Sequence, residues 1–172
     1  TMSMAQGGGV IAHAEETGAA ADHIEEVVVY GRADAQIGLA SSASEGLVGY
    51  DDIRLQPMLR VDELVEAVPG MVATQHAGTG KANQYFIRGF NLDHGTDFAV
   101  SVEGVPINMR SHGHGQGFLD LNFLIPELVQ ITRYQRGPYA VQVGDFSSAA
   151  SVDFKLYPQL DEKIFSITAG EH

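Results

Sequence analysis

RVDELVEAVPGMVATQ, residues 60–75, holds three instructions in sixteen positions. Val61, Leu64, Val65 and Val68 fall at the i, i+3, i+4, i+7 spacing of an amphipathic helix, which predicts a helix over 60–68. Pro69-Gly70 stops it, because proline cannot continue a helix and glycine accepts the turn that follows. Residues 71–74, MVAT, then read as a strand.

Working outward toward the C-terminus, a glycine-rich loop (77–82) leads to a strand over 84–90 and a polar loop, NLDHGTD (91–97). A strand over 98–102, a turn at Glu103-Gly104 and the short run Val105-Pro106-Ile107 follow. A second glycine-rich loop, MRSHGHGQGF (109–118), precedes a short helix around Pro126 and a strand over 128–134. Arg136-Gly137-Pro138 breaks that strand, another spans 149–156, and residues 163–168 alternate as a strand does. Toward the N-terminus, residues 51–55 read as a first strand and folding is expected to begin near Val48. Residues 1–24 are rich in Gly and Ala without hydrophobic period, which predicts disorder. Short strands, few helices and long loops describe an α+β domain with a small mixed four-stranded sheet.

The totals bound the function. The chain of 172 residues suits one domain. A net charge of −12, from 22 acidic and 10 basic residues, argues against nucleic acid as a partner, because phosphate binding needs clustered cations. There is no cysteine, so disulfides, thiolate metal sites and cysteine nucleophiles are excluded. No apolar run approaches the ~18 residues of a membrane-spanning helix. Ala12-His13-Ala14 has the form of a secretory cleavage site, without the basic and apolar regions that precede one.

Four segments in order resemble the plug domain of TonB-dependent outer-membrane receptors: EEVVVYG (25–31), RVDELVEAVPGMVATQ (60–75), YFIRGF with VSVEGVPIN (85–90 and 100–108), and ELVQITRYQRGPYAVQVGDFSSAASVDF (127–154). The resemblance covers roughly residues 25–154. It implies three parts: a flexible segment 1–46 containing a TonB box, a plug over 47–156, and a linker over 157–172 that could start a first barrel strand. The box comprises Glu25, Glu26, Val27, Val28, Val29, Tyr30 and Gly31. Such a stiff, β-prone run could complete a sheet edge of the energy-transducing partner TonB. An ordinary strand or a sticky linker is the plainer alternative. By the same resemblance Arg88 and Arg136 would pair with glutamates of a C-terminal β-barrel, which this chain does not include. In the chain alone both arginines are expected in water. The implied setting is the outer membrane, with a small-molecule or metal-chelate ligand, no cofactor and no enzyme activity. Two departures stand out: the family commonly has Asp-Gly where this chain has Glu103-Gly104, and the wording after Gly137-Pro138 differs from many members.

The glycine-rich loops offer ligand contacts at Gln75, His76, Asn91, Asp93, His94, Arg110, His112, His114 and Gln116. His112 and His114, two residues apart, could share a metal if the loop bends; incidental histidines in polar loops is the preferred reading. Asp51-Asp52 and Asp161-Glu162 have no activating neighbour and read as solvated turns. AGTGKAN (77–83) lacks the phosphate-loop spacing. Two other classes compete with a transport gate: a soluble periplasmic binding module with a plug-like fold, and a histidine metalloenzyme.

Overall fold

The computed structural model of the chain describes residues 39–76, 81–139, 141–160, 162–165 and 167. Residues 1–38, with the expected TonB box, lie outside the described residues.

The elements in order are β1 (Leu39–Ser42), β2 (Glu45–Gly49), α1 (Tyr50–Ile53), a 3₁₀ helix (Val61–Ala67), β3 (Met71–Thr74), β4 (Gln84–Ile87) and β5 (Phe90–Asn91). Then come β6 (Phe98–Val102), β7 (Val105–Pro106), a 3₁₀ turn (Pro126–Leu128), β8 (Val129–Arg136), a second such turn (Val141–Val143) and β9 (Ala150–Leu156). The α+β reading holds, with strands in two sheets rather than one. The main sheet runs β1-β2-β8-β9-β6-β7, and β3-β4-β5 forms a second sheet. Its four central strands, β2, β8, β9 and β6, make the mixed sheet expected, because β6 pairs with β9 in parallel and the other pairs are antiparallel. β1 and the two-residue β7 extend it to six.

Both sheets serve one core. Leu64, Val65 and Val68 from the 3₁₀ helix pack with Tyr85 of β4, Phe98 and Val100 of β6, Val129 of β8 and Phe154 of β9. Leu92, Leu119 and Leu121 close it from the loops. Alternation on β9 decides which side chains reach that core: Ala150, Val152 and Phe154 are buried, while the residues between them are partly exposed.

Four local readings are corrected. The helix is 3₁₀ rather than α. Asp62, Val65 and Val68 are all buried, at the three-residue repeat of the tighter spiral. The carboxylate of Glu63 accepts the backbone N–H of Leu59 at 2.7 Å and of Arg60 at 3.3 Å, and Pro69 prevents further winding. Residues 51–55 are not a strand; α1 occupies that place, Arg54 N–H donates to Tyr50 O, and Arg54 pairs with Asp51 at 2.8 Å. The sheet there uses the preceding strand, and its ladder ends at Gly49 opposite Ile131.

Residues 39–46, assigned to a flexible segment, lie mostly in β1 and β2. Gly46 is small for packing, not mobility: a Cβ there would stand 2.6 Å from the Tyr134 hydroxyl. Residues 84–90 are a hairpin rather than one strand. Arg88 and Gly89 form its two-residue turn, with φ of 50° and 80° as a type I′ turn requires, and Ile87 faces Phe90. After Leu156, none of the described residues is in a strand, and Ile164, Phe165 and Ile167 are exposed.

Candidate functional site

The loops following β5 and β7 meet through one side chain, Asn108. Its Oδ1 accepts the N–H of Val100 at 2.7 Å. Its Nδ2 faces the carbonyls of Phe98 (2.8 Å), Gly117 (2.9 Å) and Gly95 (3.1 Å). Leu119 N–H donates to His94 O at 2.7 Å, joining the same two loops again. Gly95, at φ +114°, leaves no room for a side chain, since a Cβ would meet Leu119 Cβ at 2.6 Å. Residues 91–97 and 109–118 are therefore stitched together rather than free to wander.

That stitching gathers the loop histidines. His94 is buried, and its ring centroid lies 5.2 Å from His76 and 5.0 Å from His114. Nδ1 of His94 lies 3.0 Å from the carbonyl oxygen of Asn83. A carbonyl can only accept, so Nδ1 is the donor in this bond. Asp93 Oδ1 lies 3.8 Å from Nε2 of the same ring. His112 differs: its ring stacks on Phe118 at 3.9 Å and 17°, and its Nδ1 accepts the N–H of His114 at 3.1 Å. The His112 and His114 centroids are 6.3 Å apart. The rings that lie nearest one another are His76, His94 and His114. The positive charge of Lys81, foremost, and the neighbouring histidines hold His114 below the usual imidazole range.

The other expected contacts scatter. Asn91 Oδ1 accepts from Asp93 N–H at 2.8 Å and from Gln84 Nε2 at 3.0 Å, so it shapes the loop. Arg110 reaches Asp145 at 3.4 Å on the surface. Gln116 is exposed and Gln75 partly buried.

Arg88 and Arg136 line one shallow cleft with Ser44, Ile87, Gly137 and Tyr139. Their surroundings differ. Arg88 is exposed at its hairpin turn. Arg136 is partly buried; its guanidinium donates to the carbonyls of Ala43 and, at 3.5 Å, Pro69. The expectation that both lie in water is thus corrected for Arg136, which clasps the β1–β2 turn and the Pro69-Gly70 stop.

The Glu103-Gly104 turn is type I′, with φ of 52° and 76°. Glu103 reaches across to the neighbouring strand: Oε1 accepts Leu156 N–H at 2.6 Å and Oε2 meets Lys155 at 3.4 Å. Beside it, Asp153 accepts from Ser101 (2.6 Å) and Gly104 N–H (2.9 Å) and pairs with Lys155 at 3.2 Å. Burial raises the Asp153 carboxyl, but those donors and Lys155 outweigh it and the net is downward. In the core, Tyr85 donates to Asp62 at 3.1 Å. Burial, the largest cause, lifts both groups above their ordinary ranges. No sequence signal marks this pair, since Asp62 sits on what reads as the polar face of a helix.

The family model for the TonB-dependent receptor plug domain matches residues 36–151. The chain belongs to that family. Solved receptors carry the same plug fold: the siderophore receptor PirA from Acinetobacter baumannii (TM-score 0.53, 23% identity), the ferric enterobactin receptor PfeA of Pseudomonas aeruginosa (0.51, 20%) and the copper transporter OprC (0.53, 18%). The matches cover 70%, 68% and 70% of this chain, and 18% of each receptor. At such identities the likeness shows the fold. This plug spans under a fifth of their length. Among the described residues no helix is long and apolar enough to cross a membrane.

Proposed function

We propose that this plug is the gate of an outer-membrane importer: it occludes a β-barrel, contributes loop residues to an external siderophore-like or metal-chelate ligand, and is moved when TonB engages residues 25–31. The family match over residues 36–151 carries the reading. Physical chemistry supports each part. Large apolar side chains stay exposed at Leu55, Leu59, Val72, Phe90, Val105 and Val141, as expected of a surface that meets a wall. Arg88 and Arg136 flank one cleft where carboxylates of such a wall could be held by guanidinium forks. Glu25 to Gly31, valine-rich at its centre, suits addition to a partner's sheet edge through main-chain hydrogen bonds.

Val28→Pro in the full-length receptor tests the coupling. Proline removes a ladder donor, so energised uptake should be lost while ligand binding stays within about 2-fold of wild type. Normal uptake by this variant would refute the assignment of the segment.

A further inference from the structure

We propose that residues 137–149 are a strap latched by Phe146. With its ring seated on Gly117 the strap stays closed and holds the β1–β2 turn through Arg136; with the ring unseated, strap and turn loosen together. The inference goes beyond the gate reading and does not depend on it. The strap is the stretch whose wording, YAVQVGDFSS after Gly137-Pro138, departs from many members of the family. Its neck is closed by one backbone bond, from Gly137 N–H to Ala149 O at 2.6 Å. The span between buries little: Tyr139, Val141 and Val143 are exposed, and Phe146 is partly buried. A segment with so few buried contacts opens easily unless something fastens it.

Phe146 is the fastening. Among the described residues, four other than glycine have positive φ. Arg88 and Glu103 open two-residue turns completed by glycine, and Asp93 is of a type that tolerates this region. Phe146, at φ 64°, has neither reason: it is bulky, and Ser147 follows it. Such a backbone persists only where its surroundings hold it. What holds it is Gly117, against which the ring lies so closely that a Cβ there would stand 2.7 Å from Cδ1. Gly117 is itself fixed, its carbonyl accepting from Asn108 Nδ2 and its N–H donating to Met109 O at 2.8 Å. The strap's side-chain ties besides this one are polar and exposed: Asp145 to Arg110 at 3.4 Å, and the Ser148 hydroxyl to the Asp97 carboxylate. An exposed ion pair contributes little. At its neck the strap passes directly into Arg136, whose N–H donates to Ser44 O at 2.7 Å and whose guanidinium holds Ala43 O. Opening the Gly137–Ala149 bond leaves Arg136 at a frayed end of β8, so the β1–β2 turn loses its clasp.

Amide hydrogen exchange of the 172-residue chain, read residue by residue by NMR, tests the latch. Phe146→Ala should speed exchange at Gly137, Ala149 and Arg136 together by at least about 10-fold. Amides in the middle of β8 and β9, at Thr132 and Phe154, should change by no more than about 2-fold. Phe146→Tyr keeps the ring, and Arg110→Ala removes only an exposed ion pair, so each should stay within about 2-fold of wild type. Unchanged exchange in Phe146→Ala overturns the latch, as does an equal effect of Arg110→Ala or Phe146→Tyr. Faster exchange at Gly137 and Ala149 with Arg136 unmoved overturns the coupling to the turn. Uniform acceleration that includes Thr132 and Phe154 assigns Phe146 to global stability and overturns the proposal as well. None of these readouts involves import, so normal uptake by the Val28→Pro receptor would overturn the gate reading and leave the strap untouched.

Discussion

A buried carboxylate is tolerable when something donates to it, and Asp62 has the Tyr85 hydroxyl and the backbone of Leu121 for this. Tyr85→Phe removes its side-chain donor and should lower stability by about 1–3 kcal/mol, read by urea unfolding at pH 7. An unchanged midpoint would show that Asp62 is satisfied elsewhere. The sign with pH is also defined. Burial raises the folded Asp62 carboxyl above its ordinary value of 3.8. Its contribution to stability therefore falls as pH rises from about 3.8 through the folded value, and Asp62→Asn should remove that step. The two arginines separate at the same scale. Arg136→Ala loses two backbone carbonyl partners and should destabilise the chain by about 1–3 kcal/mol, whereas exposed Arg88→Ala should stay within about 0.5 kcal/mol. Equal melting temperatures for the two variants would show that Arg136 does not hold the domain together.

At the scale of elements, β6, its turn and β9 are locked by Asp153, Glu103 and Lys155. Asp153 titrates in the opposite sense from Asp62: its folded carboxyl lies below 3.8, so its contribution is present above that pH and is lost as pH falls through the folded value. Asp153→Asn should erase this acid step and, because the group is partly exposed, lower stability at pH 7 by only about 1 kcal/mol. A stability profile that keeps its acid slope in Asp153→Asn would place the step elsewhere. Element identity was legible where neighbours in sequence determine it. The Pro69-Gly70 stop, β3, β6, β8 and β9 were found close to their observed limits. The misread elements are set by particular turn, cap and hydrogen-bond contacts that the apolar period alone does not encode. A four-residue apolar repeat does not separate α from 3₁₀ winding until Asp62 meets Tyr85 and Glu63 reaches back to Leu59 and Arg60. Arg88-Gly89 looks like a strand end until Ile87 is seen opposite Phe90.

Across the whole molecule, local pattern carried the order of strands and stops and, through four motifs in sequence, the family to which residues 36–151 belong. Those features are encoded by side-chain period, β-branching, proline and glycine, all of which act on the backbone within a few residues. The order of the main sheet is another matter. β2 pairs with β8, and β6 lies parallel to β9, about 50 residues away along the chain by the register Phe98↔Ala150. The site follows the same division. That histidines and arginines stand in glycine-rich turns is plain from the chain itself. That His94 meets His114 while His112 turns onto Phe118 depends on Asn108 binding two loops together. That Arg136 reaches back 93 residues to Ala43 depends on the sheet order. Contacts of this kind arise only when the core has closed, because burial selects which faces come together and no neighbour-to-neighbour preference carries that choice.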